Sequence, residues 1–150
     1  MKSHGYVLLV ARFVPENSIG PFLDAVPALA RDYQVVLVGS SGYGEAYDEQ
    51  AGRLACEHDS VTFLGHVAND ELLFSLWQHC GLYFHGHSVG GTNPALVQAM
   101  ALGAPILARD TIYNREVLAD AGDFVSPTTS EIIQSVHALM RNPEARALMG

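Results

Sequence analysis

Tyr6-Val7-Leu8-Leu9-Val10 is an unbroken apolar run, the pattern of a strand whose two faces are both covered. Turn chemistry and a helix-start signal follow at Phe13-Val14-Pro15-Glu16-Asn17-Ser18, after which Phe22, Leu23, Val26, Leu29 and Ala30 recur at helical spacing. The same unit then repeats down the chain. Val35-Val36-Leu37-Val38, Val61-Thr62-Phe63-Leu64, Leu82-Tyr83-Phe84-His85 and Pro105-Ile106-Leu107-Ala108 predict further strands, and Phe124-Val125 a short last one. Helices are predicted over Glu45 to Glu57, from an Asn69-Asp70 cap to about His79, from Pro94, around Arg115 to Ala119, from Thr128 or Thr129 through Leu139, and again near the end of the chain. Strands alternating with helices in this way need right-handed crossovers and a parallel sheet. The expected fold is therefore α/β, a Rossmann-like doubly wound parallel sheet of about six strands with helices on both faces.

Composition narrows the function classes. The chain has 150 residues, 49% of them hydrophobic, which suits one domain, residues 1–150, with its own core. Lys and Arg total 8 against 16 acidic residues, a net charge of -8 with no basic stripe, so a nucleic-acid partner is not expected. No apolar run reaches the roughly 18–20 residues of a transmembrane helix, and no secretory pattern follows Met1, so a cytoplasmic location is expected. Cys56 and Cys80 are too few for a disulfide framework and lack CxxC spacing; they read as structural thiols.

In a doubly wound sheet, ligands sit in the crevice at the carboxyl ends of the strands, so the loops after each strand carry the functional information. The most informative is His85-Gly86-His87-Ser88-Val89-Gly90-Gly91-Thr92-Asn93, where Asn93 suits a helix cap and Pro94 the first helical position. Free backbone N–H groups and the positive end of a helix then offer an anion site, although a glycine turn that merely tightens the connection has the same appearance. The helix that follows is apolar all round but for Gln98, which predicts a buried helix and a Gln98 that must find a ligand or a backbone partner. His85 and His87 would lie on one face of an extended segment, but no third ligand accompanies them, so a hydrogen-bonded pair is expected rather than a metal site. Gly39-Ser40-Ser41-Gly42-Tyr43-Gly44 has the wrong spacing for a dinucleotide fingerprint.

From Tyr6 to Gly150 the chain resembles the C-terminal, donor-binding half of the retaining GT-B glycosyltransferases of the group 1 type. His87-Ser88-Val89-Gly90-Gly91-Thr92-Asn93-Pro94 is most similar to bacterial rhamnosyltransferase-like enzymes of surface polysaccharide synthesis. Gly90 and Gln98 stand where the family carries two acidic residues; Gly90 fits that subgroup and Gln98 departs from it. Val10-Ala11-Arg12-Phe13-Val14-Pro15-Glu16-Asn17 resembles the family's first loop, with Arg12 at its diphosphate-binding Arg and Asn17 where a Lys would be.

The resemblance implies a nucleoside-diphosphate sugar as donor substrate, no cofactor and no metal. Arg12 would stabilise the charge that builds on the leaving diphosphate, a catalytic role, with Asn17, Gly90, Gly91, Thr92 and Asn93 about the same group. Gln98 would meet the ribose, Gly65 and His66 the base, and His87 the sugar. A surface ion pair of Arg12 with Glu16 or Asp24 is the ordinary alternative. The resemblance further implies a fragment of a two-domain enzyme. Its missing N-terminal domain would hold the acceptor, a glycan or lipid-linked sugar, and the full-length enzyme could lie against a membrane surface. Alone, the chain should bind nucleotide and transfer nothing. The competing reading is a degenerate, non-catalytic module for nucleotide or protein binding, in which Asn17 and Gln98 mark lost ligands.

Overall fold

Strands β1 (Tyr6–Val10), β2 (Gln34–Val38), β3 (Val61–Gly65), β4 (Leu82–His85), β5 (Ile106–Arg109) and β6 (Asp123–Val125) form one sheet in the order β3-β2-β1-β4-β5-β6, and every neighbouring pair is parallel. They are joined by α1 (Ile19–Leu29), α2 (Ala46–Glu57), α3 (Asp70–His79), α4 (Pro94–Ala101) and α5 (Ile112–Leu118), and α6 (Thr129–Met140) and α7 (Pro143–Met149) follow β6. This is the expected Rossmann-like α/β architecture. The computed structural model describes residues 4–41, 46–88 and 93–149.

The alternation of side chains along the strands builds a core on each face of the sheet. Val7 and Leu9 of β1, Val35 and Leu37 of β2, and Leu82 and Phe84 of β4 point to one face, where α1, α2 and α6 cover them with Phe22, Leu23, Leu54, Ile132 and Val136. Tyr6 and Leu8, Val36 and Val38, and Tyr83 point to the other, under Leu76 and Trp77 of α3, Leu96 and Ala99 of α4 and Leu118 of α5. Because most inner-strand residues meet one core or the other, those strands read as nearly continuous apolar runs. Aromatic pairs stiffen both layers: Phe22 stacks on Phe84 at 4.8 Å and Trp77 meets Tyr83 edge-on at 5.9 Å.

The caps fall on polar residues that accept orphan amides. Asn69 accepts from Leu72 N at 3.1 Å and Thr128 from Glu131 N at 3.3 Å. Two sequence expectations are corrected. Helix α5 starts at Ile112 rather than near Arg115, because Thr111 caps it by accepting from Asn114 N at 3.0 Å. Helix α4 buries Leu96 and Ala99 only; Val97 is 44% exposed and Gln98 also faces outward, so Gln98 is not a polar group trapped among apolar neighbours. Of the two thiols, Cys80 is buried in the core and Cys56 is exposed, so only the former is structural in the sense expected. Among the described residues no helix is long and apolar enough to cross a membrane.

Candidate functional site

Strand order reverses between β1 and β4: the chain runs outward through β2 and β3 on one side and through β5 and β6 on the other. Loops leaving two such strands diverge and leave a crevice at their carboxyl ends. A cleft of about 580 Å³ opens there, between Val10, Ala11 and Arg12 after β1, Gly39 and Ser40 after β2, His66 and Val67 after β3, and His85, Gly86 and His87 at the end of β4. That is room for a small-molecule ligand.

The loop after β1 is tied to its neighbour before it turns. Ala11 N donates to Val38 O at 3.1 Å and Phe13 N to Ser40 O at 3.2 Å, which prolongs the β1–β2 ladder past both strands. Phe13 is buried and stacks against Phe63 at 5.9 Å, so Arg12, one residue earlier, is turned the opposite way. Its guanidinium stands exposed at the cleft, and among the described residues no carboxylate pairs with it. The alternative, a surface ion pair with Glu16 or Asp24, is thus not formed.

Asn17 ends a 3-10 turn over Pro15–Asn17 and is buried. Its Nδ2 donates to Arg12 O at 2.8 Å, which fixes the orientation of the amide because a carbonyl only accepts. Oδ1 must therefore accept from His87 Nδ1–H, 2.8 Å away, leaving the lone pair of an uncharged His87 ring on Nε2. Asn17 lines the cleft, but its amide is engaged inside the protein. The other side of the loop is held by Asn114, whose Nδ2 donates to His87 O at 3.0 Å and Arg109 O at 2.9 Å. Ser18 donates to Gly86 O at 2.8 Å and accepts from Arg109 at 3.2 Å. A Cβ on Gly86 would lie 2.3 Å from Asn17 O, so only glycine lets the two loops meet this closely.

His85 closes the floor. It is 4% exposed, and its Nδ1 lies 3.1 Å from the Tyr83 hydroxyl. Burial, reinforced by the neighbouring His87, lowers its pKa from 6.5 to about 4, so the ring is uncharged at neutral pH. The His85 and His87 rings are 6.1 Å apart. Among the described residues no three His, Cys, Asp or Glu side chains gather as a metal group would require.

Of the residues singled out by sequence, Arg12, Asn17, His66, His87 and Asn93 share this cleft. Gly65 stands behind it, its carbonyl accepting from Gly39 N at 2.7 Å. Gln98 is not in the wall; it lies three residues beyond Ala95, which is, and so continues the same side of α4 outward. Gly90, Gly91 and Thr92 lie outside the described residues. The tip of α4 is a narrower anion site than the sequence implies, since Pro94 has no N–H and Ala95 N donates to the Asn93 side chain at 2.9 Å. Sequence reasoning missed Asn114, Ser18 and Tyr83 as parts of the site.

The family described as Glycosyl transferases group 1 matches residues 4–142. A phosphatidyl-myo-inositol mannosyltransferase of Mycobacterium leprae is 33% identical over 93% of the chain, which spans 38% of that relative's length. Two solved structures share the fold. The C-terminal domain of a group 1 glycosyl transferase from Francisella tularensis is 14% identical with a TM-score of 0.78, covering 99% of this chain and 82% of that one. The Anabaena protein HepE, in complex with UDP and glucose, is 22% identical with a TM-score of 0.77, covering 96% of this chain and 40% of that one.

Proposed function

The chain belongs to the group 1 glycosyl transferases, and we propose that it is the donor-binding half of a retaining transferase that takes a nucleoside-diphosphate sugar and builds polysaccharide or glycoconjugate. The observation that carries this reading is the Arg12 guanidinium, without a carboxylate partner among the described residues, at the cleft where the strand order reverses. A fixed cation at the mouth of an otherwise acidic chain suits a diphosphate. As the bond between sugar and phosphate breaks, charge builds on the leaving group, and a preplaced guanidinium stabilises that charge without a proton transfer. The complex of HepE with UDP and glucose supports this class of ligand.

The remaining roles are those the family resemblance implies. Gly90, Gly91, Thr92 and Asn93 serve the diphosphate, His66 and Gly65 the base, and Gln98 the ribose. Asn17 acts through His87 and the Arg12 carbonyl rather than on the ligand. No metal or cofactor is needed. The acceptor, a glycan or lipid-linked sugar, belongs to a further domain of the full enzyme, located in the cytoplasm and peripheral to the membrane; the isolated domain binds but does not transfer. On the His87 to Pro94 stretch the chain reads as a rhamnosyltransferase-like enzyme of surface polysaccharide synthesis, whereas the curated relatives are mannosyltransferases.

Two measurements test this. UDP, GDP or dTDP at millimolar concentration should raise the melting temperature of the chain, and Arg12→Ala should weaken the preferred nucleotide about tenfold or more by removing a charge-assisted bond. No rise with any of the three would contradict the proposal. The engaged amide of Asn17 favours the second reading, a degenerate module. Gln98→Glu separates the two: a working ribose site should bind about tenfold tighter with the carboxylate, and a degenerate one should not respond.

A further inference from the structure

Tyr83 and His85 stand two residues apart on β4, and their hydrogen bonds specify what the floor of the cleft can recognise. Tyr83 Oη has one hydrogen, which it donates to Val10 O at 3.2 Å, and burial raises its pKa so that this hydrogen stays in place. The oxygen that remains must accept, so the 3.1 Å contact with His85 is donated by Nδ1–H. The lone pair of His85 then sits on Nε2. That atom is buried and has no partner among the described residues, on a side chain that lines the cleft. A buried acceptor left empty costs free energy unless a ligand supplies a hydrogen to it.

From this we propose that His85 Nε2 accepts a hydrogen bond from a hydroxyl of the donor's sugar and so selects the sugar rather than the nucleotide. The inference rests on the donor-binding reading above. A phosphate oxygen, rich in lone pairs, is repelled by the same atom, and the uncharged ring offers it no hydrogen. Within that reading the diphosphate lies with Arg12, the ribose with Gln98 and the base with His66, so the hydroxyls left to meet the β4 end belong to the sugar. His87, whose Nδ1–H is held by Asn17, stands beside it and in its uncharged form presents a second acceptor at Nε2. Two imidazole acceptors 6.1 Å between ring centres can address different hydroxyls of one ring.

The test compares each of UDP, GDP and dTDP with its conjugate UDP-glucose, GDP-mannose or dTDP-rhamnose, by calorimetric titration of the chain and two variants. His85→Asn keeps a polar atom near Tyr83 but withdraws the acceptor from the cleft; His85→Gln reaches to the Nε2 position. His85→Asn should weaken the preferred conjugate about 3- to 10-fold while leaving its nucleoside diphosphate within twofold, and His85→Gln should restore most of the loss. Unchanged conjugate affinity in His85→Asn, or equal loss for conjugate and diphosphate, would overturn the sugar assignment while the nucleotide site stands. Failure of the unaltered chain to bind any of the three diphosphates would overturn the donor-binding reading, and this inference with it.

Discussion

Gly39→Ala should lower the stability of the chain by about 3 kcal/mol or more, read as the change in urea midpoint at constant slope. Gly39 has φ +129°, a region that L side chains rarely adopt, and an added Cβ would lie 1.8 Å from Ala11 O. The obstacle is backbone, which no side-chain rotation relieves. Conformational strain and forced separation each cost about 1–3 kcal/mol. The strain falls where the loops after β1 and β2 are laced together by Ala11 N to Val38 O and Phe13 N to Ser40 O, so Arg12 should lose its placement too. Gly52→Ala is the matched control. Gly52 lies inside α2 with nothing within 4 Å of its would-be Cβ, and alanine there should stabilise by about 0.5–1 kcal/mol. Equal effects from the two substitutions would mean that the close approach at Gly39 does not exist.

Acid should weaken the fold through His85 in a defined window. Its pKa is lowered from 6.5 to about 4, first by burial and then by His87. Above pH 6.5 the ring is uncharged in folded and unfolded chains alike, and it contributes no pH dependence. Between 6.5 and 4 the unfolded chain binds a proton that the folded chain refuses, so stability falls as pH falls. At pH 4.5 the loss from this one group is about 2–3 kcal/mol, from the 1.36 kcal/mol that each pKa unit represents. Urea unfolding of the chain and of His85→Asn at pH 7 and 4.5 isolates it, since carboxylates titrate in both. The variant should lose about 2–3 kcal/mol less than the parent across that interval. The same loss in both proteins would show that His85 is not held uncharged.

What could be read from the sequence follows from how locally each feature is determined. The four inner strands were legible because the sheet is covered on both faces there and they read as short apolar runs; the edge strands β3 and β6 are more exposed and mix polar with apolar residues. Helix α4 was misjudged because a list of apolar residues does not say which side is covered; Val97 and Gln98 face outward although their composition reads as interior. Arg12 was singled out by the resemblance of its loop to the family's first loop, and the turn that follows β1 does place it at the cleft. Asn17 could not be read correctly. Its role depends on His87, 70 residues away, and its replacement of a Lys says nothing about which way the amide turns. Asn114, 27 residues from the loop it supports, gives no periodic signal at all. Polar positioning networks of this kind are set by tertiary approach, and they appear only when the strands are in register.

A crystal structure of the chain with the tightest-binding of UDP, GDP and dTDP would decide most directly whether this cleft is a donor site. The diphosphate should lie at the carboxyl ends of β1 and β4 within hydrogen-bonding distance of the Arg12 guanidinium, with the ribose toward Gln98. A nucleotide bound elsewhere on the chain, with Arg12 free of it and the cleft between Arg12 and His85 unfilled, would contradict the assignment.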